Sequence, residues 1–181
     1  MGRVQVNLGC GWRDFGKDWY HVDGGDYKHL DSKDIFNLPF KDNSVDLIYV
    51  SHVIAYFPRE TISDLLDLWK SKLKSGGILR LGTPNFEVMT KLYQEGKCSL
   101  DNLLGPLYGK MVMDGLTIYH KTVYDYNSLS KILYDIGFDT VESWDWRDTE
   151  HAEHDDHSQA YIPHMDKENG TLISLNIQAI K

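Results

Sequence analysis
The sequence predicts an α/β domain around a mainly parallel sheet, and three observations point there. A short apolar strand at 4–8 runs straight into Gly9-Cys10-Gly11. A β-branched and aromatic run at 45–50 and a further strand at 78–81 alternate with segments of helical period. The chain closes on an alternating strand at 171–180, with Ile173, Leu175, Ile177 and Ala179 on one face. The 181 residues, 41% apolar and 25% charged, suit one core rather than two, so a single domain is expected over 1–181.

The elements follow in order. Residues 20–23 form a second strand closed by Gly24-Gly25, and 28–33 form a third, polar enough for a sheet edge. The run at 45–50 follows the turn formers Lys41-Asp42-Asn43-Ser44 and belongs at the sheet centre. Ile62, Leu65, Leu66, Trp69 and Leu73 share a helix face, and Ser75-Gly76-Gly77 stops that helix. After the strand at 78–81, Thr83-Pro84-Asn85 breaks the chain and a helix covers 86–94. Residues 98–122 lack a clean period and read as an insertion that forms a lid. Asp125 caps a helix carrying Leu129, Leu133 and Ile136, Gly137 ends it, and 138–146 returns as a strand.

A net charge of −8 has the wrong sign for nucleic acid or anionic lipid. The longest stretches without Asp, Glu, Lys or Arg, 47–58 and 169–180, are twelve residues each, well short of the ~20 that a membrane span needs. With no secretory segment before the first strand, a cytoplasmic address is expected. Cys10 and Cys98 sit in unrelated contexts, which argues against a disulfide framework. The charge is concentrated: between Asp145 and Glu168 eight acidic residues face two basic ones, a net of −6, and all other residues sum to −2. This acidic, histidine-rich loop, 147–170 between the last two strands, includes His151, His154, His157 and His164.

Gly9 and Gly11 after a buried strand let the backbone approach a ligand closely, although a turn with no ligand uses glycines too. Asp23, closing the second strand, can accept both hydroxyls of a ribose. Asp34-Ile35, ahead of Leu38-Pro39-Phe40, offer a carboxylate and a backbone N–H to an adenine edge.

Together with Asn7-Leu8-Gly9-Cys10-Gly11, Trp19-Tyr20-His21-Val22-Asp23, Leu38-Pro39-Phe40 through Tyr49, Ser51-His52-Val53, Gly76-Gly77-Ile78-Leu79-Arg80, Gly137-Phe138 and Ser174-Leu175-Asn176, these features resemble the class I S-adenosylmethionine-dependent methyltransferases, in the short type 11 branch. The resemblance spans nearly the whole chain apart from 98–122. It implies a Rossmann-like sheet of order 3-2-1-4-5-7-6 with strand 7 antiparallel. It also implies S-adenosylmethionine across the C-terminal ends of strands 1, 2 and 4. Gly9 and Gly11 would flank its methionine part, with Asn7 and Cys10 also among the cofactor-binding residues; Asp23 would meet the ribose, Asp34 and Ile35 the adenine, and Ser51 and His52 would border the methyl group. Two departures stand out. Only eleven residues separate Gly11 from Asp23, too few for the long helix usual there, and Ile54-Ala55-Tyr56 replaces the Leu-Glu-His common in relatives. Arg13 in place of a third glycine argues against a nicotinamide dinucleotide.

A sulfonium methyl needs little activation, so the protein must place a nucleophile, exclude water, and supply a base if the acceptor is a hydroxyl or a protonated amine. His52 is the first candidate base and His120 the second, against the readings of a half-buried and an ordinary loop histidine. The loop after strand 6 should reach the cleft rim, where Asp155, Asp156, Tyr161 and His164 would contact substrate, against the alternative of a solvated loop. The spacing of His151, His154 and His157 also fits metal ligation, but no closed ligand set is evident and no metal is expected. The expected function is methyl transfer to a small polar acceptor such as a sugar or nucleotide-sugar. The alternative is a non-catalytic protein that keeps the fold and the cofactor.

Overall fold
The computed structural model describes residues 2–113 and 115–181. Its strands and helices are β1 (Gln5–Leu8), β2 (Trp19–Val22), β3 (Val45–Ser51), α1 (Ile62–Lys72), β4 (Leu73–Pro84), α2 (Phe86–Gln94), α3 (Leu100–Tyr108), β5 (Met111–Met113), β6 (Leu116–Ile118), α4 (Tyr126–Asp135), β7 (Thr140–Ser143), β8 (Tyr161–Ile162), β9 (Thr171–Leu172) and β10 (Ser174–Ile180). Six strands form the main sheet in the order β2-β1-β3-β4-β10-β7. The first four are parallel, and β10 runs antiparallel between β4 and β7. This is the expected order less its third strand.

The missing strand has a local cause. Residues 28–33 make only one bridge to the sheet, Val22 with Ser32, because Asp31 substitutes for the ladder. Its carboxylate accepts the His21 amide at 2.8 Å, and its own amide donates to the His21 carbonyl at 2.9 Å. Three other boundaries differ from expectation. β4 starts directly after α1, with Gly76 at φ +75° inside a register shift between Val45 and Leu47. Only 140–143 of the strand expected at 138–146 pairs, because Trp144 turns onto the sheet face and donates its indole N–H to the Leu81 carbonyl at 3.1 Å. The closing strand divides at Ile173, with β9 pairing β8 and β10 entering the main sheet.

The two faces of the sheet are unlike. Register places Val22, Leu8, Val50, Leu81 and Ile177 in one row and Tyr20, Val6, Ile48, Leu79, Ala179 and Val141 in another. These rows pack against Ile62, Leu65, Leu66 and Trp69 of α1 and Leu129 and Leu133 of α4. The residues between them form a polar row on the opposite face: His21, Asn7, Tyr49, Arg80, Gln178 and Glu142. Parallel strands need cover on both faces, and there is no room for a helix between β1 and β2. Phe15, Trp19, Trp144 and the acidic loop supply that cover instead.

The loop's charges therefore meet the polar row. Arg80 donates to the Glu150 carboxylate at 2.6 Å and lies 3.2 Å from His151 Nε2, and Arg3 pairs with Glu150 at 2.7 Å. Tyr49 donates its hydroxyl to Asp156 at 2.6 Å. His151 lies over the Tyr49 ring, 4.1 Å between centroids, and His154 stacks on Phe15 at 4.3 Å. Glu150 and Asp156 thus hold the loop on the sheet. No helix among the described residues is long and apolar enough to cross a membrane.

Candidate active site
The ends of β1, β2, β3 and β4 converge on one edge of the sheet, where most of the expected site residues lie. At the end of β1, Gly9 takes φ +72° and Gly11 φ +59°, left-handed conformations that cost an ordinary L-residue about 1–2 kcal/mol. A Cβ on Gly9 would stand 2.1 Å from Val53 Cγ2, so glycine is also required by the close approach of the segment after β3. The Gly9 amide donates to the Val22 carbonyl at 2.7 Å. Asp23 closes the corner, with Oδ2 accepting the Gly11 amide at 2.9 Å and Oδ1 the Gly25 amide at 2.7 Å. A carboxylate fixed in this way keeps lone pairs for two further donors.

Cys10 is buried, its sulfur 3.7 Å from His29 Nε2. Burial, followed by the nearby Asp23 charge, pushes its pKa up to about 12, so it stays a thiol and contributes shape. Asn7 lies in the polar row, buried between His21 and Tyr49, so the structure sets its side chain under the loop. Asp34 is exposed and accepts the Phe36 amide at 2.8 Å, while the Ile35 carbonyl accepts the Trp69 indole N–H at 2.9 Å. These bonds set the 34–36 turn against α1. The Ser51 hydroxyl is buried without a hydrogen-bond partner among the described residues.

His52 follows at φ +55°, its amide bonded to the Gly82 carbonyl at 2.8 Å and its Nε2 3.0 Å from the Ser174 hydroxyl. The His157 ring lies 5.3 Å away. Burial holds the His52 pKa well below the ordinary histidine value, and the nearby His157, His120 and Arg13 push the same way. His120, from the 98–122 insertion, packs against Tyr56 with 4.5 Å between ring centroids. Its Nδ1 lies 3.1 Å from the Pro106 carbonyl, and burial lowers its pKa as well. Three histidines from separate segments thus meet at the end of β3, each favouring the neutral form that can accept a proton.

The insertion is ordered by its own caps. Ser99 and Asn102 form a capping box at the start of α3, and Gly109 ends the helix in the left-handed region. It is tied down at Ala55 and Tyr56, just after β3. The Ala55 carbonyl accepts the amides of Lys121 and Thr122 at 2.7 and 3.3 Å, and Tyr56 donates its hydroxyl to the Gly109 carbonyl at 2.5 Å. Met113 of β5 reaches the other side of the site, its sulfur 2.7 Å from where a Cβ on Gly24 would stand. A cleft of about 330 Å³ opens beside the insertion, lined by Leu107, Tyr108, His120, Lys121, Thr122 and Val123.

The expected substrate residues divide. Asp155 is exposed and reaches the glycine loop, its carbonyl accepting Arg13 Nε at 2.8 Å and its carboxylate pairing with Lys167 at 3.0 Å. Asp156 and Tyr161 are interior groups with partners of their own, a correction to the expected rim. Asp156 accepts the Ser158 amide at 2.8 Å besides the Tyr49 hydroxyl, and the Tyr161 hydroxyl accepts from Arg147 at 3.0 Å and Trp146 at 3.2 Å. His164 is exposed in the turn beyond β8. His151 and His154 both stack on Phe15, with 5.7 and 4.3 Å between ring centroids, while His157 lies against His52. Among the described residues no three His, Cys, Asp or Glu side chains are arranged to hold a metal. Sequence reasoning did not single out Ser174 and Asn176 as site residues, or Met113 at all. Two of these lie in the matched closing motif, and nothing local marks the third.

Comparison with known proteins agrees with this fold. Residues 14–81 match the family described as Methyltransferase domain. No curated protein matches the chain. Among solved structures, an S-adenosylmethionine-dependent methyltransferase from Archaeoglobus fulgidus is similar with a TM-score of 0.59 at 16% identity, covering 99% of this chain and 86% of that one. One from Mesorhizobium loti gives 0.56 at 16% identity, covering 99% and 91%. The 1,6-didemethyltoxoflavin-N1-methyltransferase of Burkholderia thailandensis, solved with its acceptor and S-adenosylhomocysteine, gives 0.57 at 11% identity, covering 98% and 70%. At these identities the structural likeness speaks to fold.

Proposed function
We propose that the chain is a class I S-adenosylmethionine-dependent methyltransferase that methylates a hydroxyl or amine of a small polar acceptor, with a sugar or nucleotide-sugar the first class to try. The observation that carries this reading is the convergence of His52, His120 and His157 at the end of β3, across from the glycine corner that Asp23 closes. When bound, S-adenosylmethionine supplies an activated methyl group.

The rest falls to the chain's own residues. Gly9 and Gly11 permit close approach of the backbone, Asp23 receives the ribose hydroxyls, and Met113 and the 98–122 insertion shield the site from water. His52, neutral at physiological pH, takes the acceptor's proton. The solved neighbour with a bound small heterocyclic acceptor supports a small molecule as the substrate class. An assay coupled to homocysteine release, run over sugars, nucleotide-sugars and small amines, tests the reading. Turnover of at least one, lost in His52→Ala, is expected. Cofactor binding with no turnover of any would favour a non-catalytic binder.

A further inference from the structure
Three groups behind His52 form a chain whose proton positions follow from chemistry. Asn176 Nδ2 donates to the Ser158 carbonyl at 2.9 Å. Reversing that amide would set two carbonyl oxygens against each other, so Oδ1 must face the Ser174 hydroxyl, 2.8 Å away. An amide oxygen cannot donate, so Ser174 gives it its only proton. The Ser174 oxygen is then left with lone pairs alone, and His52 Nε2 lies 3.0 Å from it. That contact is a hydrogen bond only if Nε2 carries the hydrogen. Asn176, Ser174 and Ser158 are all buried, so water does not compete for these positions.

We propose that Ser174 and Asn176 are positioning residues that hold His52 as the Nε2–H tautomer, leaving Nδ1 as the nitrogen that receives the acceptor's proton. The assignment of a role to Nδ1 rests on His52 acting as the base, whereas the tautomer does not. In the transfer step the acceptor heteroatom forms its bond to the methyl carbon while the carbon–sulfur bond breaks, its electron pair passing to sulfur. The acceptor's proton moves to Nδ1, and the resulting imidazolium keeps its Nε2–H bond to Ser174 until the proton leaves to water. Gly82 belongs to the same arrangement. A Cβ there would lie 3.4 Å from Asn176 Oδ1 and 3.5 Å from Ser174 Oγ, so its lack of a side chain leaves room for the pair.

Long-range proton–nitrogen correlation spectra of histidine-labelled protein, alone and with S-adenosylhomocysteine, read the tautomer directly. His52→Gln identifies the signals by their loss. The wild type should show a protonated Nε2 and an unprotonated Nδ1, with the two nitrogen shifts far apart. In Ser174→Ala the shifts should move toward each other as both tautomers populate, and Ser174→Thr, which keeps the hydroxyl, should restore the separation. A wild-type spectrum with the hydrogen on Nδ1 overturns the proposal whether or not Ser174→Ala folds, and so does a Ser174→Ala spectrum identical to wild type. An Nε2–H tautomer combined with full turnover in His52→Ala would instead keep the hydrogen-bond chain and remove the base assignment.

Discussion
The Gly11 amide and the Asp23 carboxylate, 2.9 Å apart, tie the loop after β1 to the end of β2. With the Gly25 bond at 2.7 Å on the other oxygen, Asp23 organises the corner before any ligand arrives. Asp23→Asn presents an NH2 group to one of these amides and weakens acceptance from ribose hydroxyls. A hydrogen bond to a charged group contributes about 1.5–3 kcal/mol, so affinity for S-adenosylhomocysteine should fall at least tenfold. Titration calorimetry checks this, and unchanged affinity would remove Asp23 from the site.

Gly9→Ala should both destabilise the fold and reduce cofactor affinity, because the new methyl meets Val53 at a position already in the left-handed region. Val53→Ala in the same chain should recover the part due to the clash but not the part due to the backbone. Denaturant unfolding of the two single variants and the double variant separates these shares. Strictly additive effects would show that Gly9 and Val53 do not meet.

Glu150→Ala removes the carboxylate that Arg80 and Arg3 share and leaves a buried guanidinium with Gln178 and His151 as its remaining side-chain partners. A loss of about 2 kcal/mol in urea unfolding is expected, below the ~3–5 of a fully buried pair because Glu150 is about a quarter exposed. Glu153→Ala, in the same loop but exposed, should be near neutral. Equal effects would mean that the loop's charge as a whole, not its bond to the sheet, sets its stability.

Burial, reinforced by the Arg80 charge, lowers the His151 pKa to about 4. The unfolded chain then takes up this proton near the ordinary histidine value of about 6.5 while the folded one does not. The unfolded state binds more protons over that interval, so stability is fully present above it and declines as pH falls from about 6.5 toward 4. His151→Gln keeps an acceptor for Arg80 without titrating. Unfolding measured across that range should show a slope shallower by close to one proton, and an unchanged slope would contradict the assignment.

The parallel core was legible in the sequence because β-branched strands and a helix of regular apolar period announce themselves locally. Asp125 and Gly137 marked the bounds of α4 for the same reason: Asp125 accepts the Ser128 amide at 2.8 Å, and Gly137 has φ +84°. What was not legible depends on contacts between distant segments. Asp31 reads as part of a polar strand until its bonds to His21 are seen. Asp156 and Tyr161 read as ligand-facing because nothing local reveals Tyr49, 107 residues away, or the Arg147 and Trp146 donors. The acidic loop looked like a statement about substrate, yet Glu150 and Asp156 complement a polar row that emerges only when six strands are in register. Ile54-Ala55-Tyr56 looked like a loss, yet it anchors the insertion through Ala55 and Tyr56.

Titration of the purified wild-type chain with S-adenosylhomocysteine in a calorimeter decides whether the glycine corner holds the cofactor. Saturable one-to-one binding with micromolar affinity, weakened in Asp23→Asn, is the expected result. No heat and no rise in unfolding temperature at millimolar ligand would contradict it.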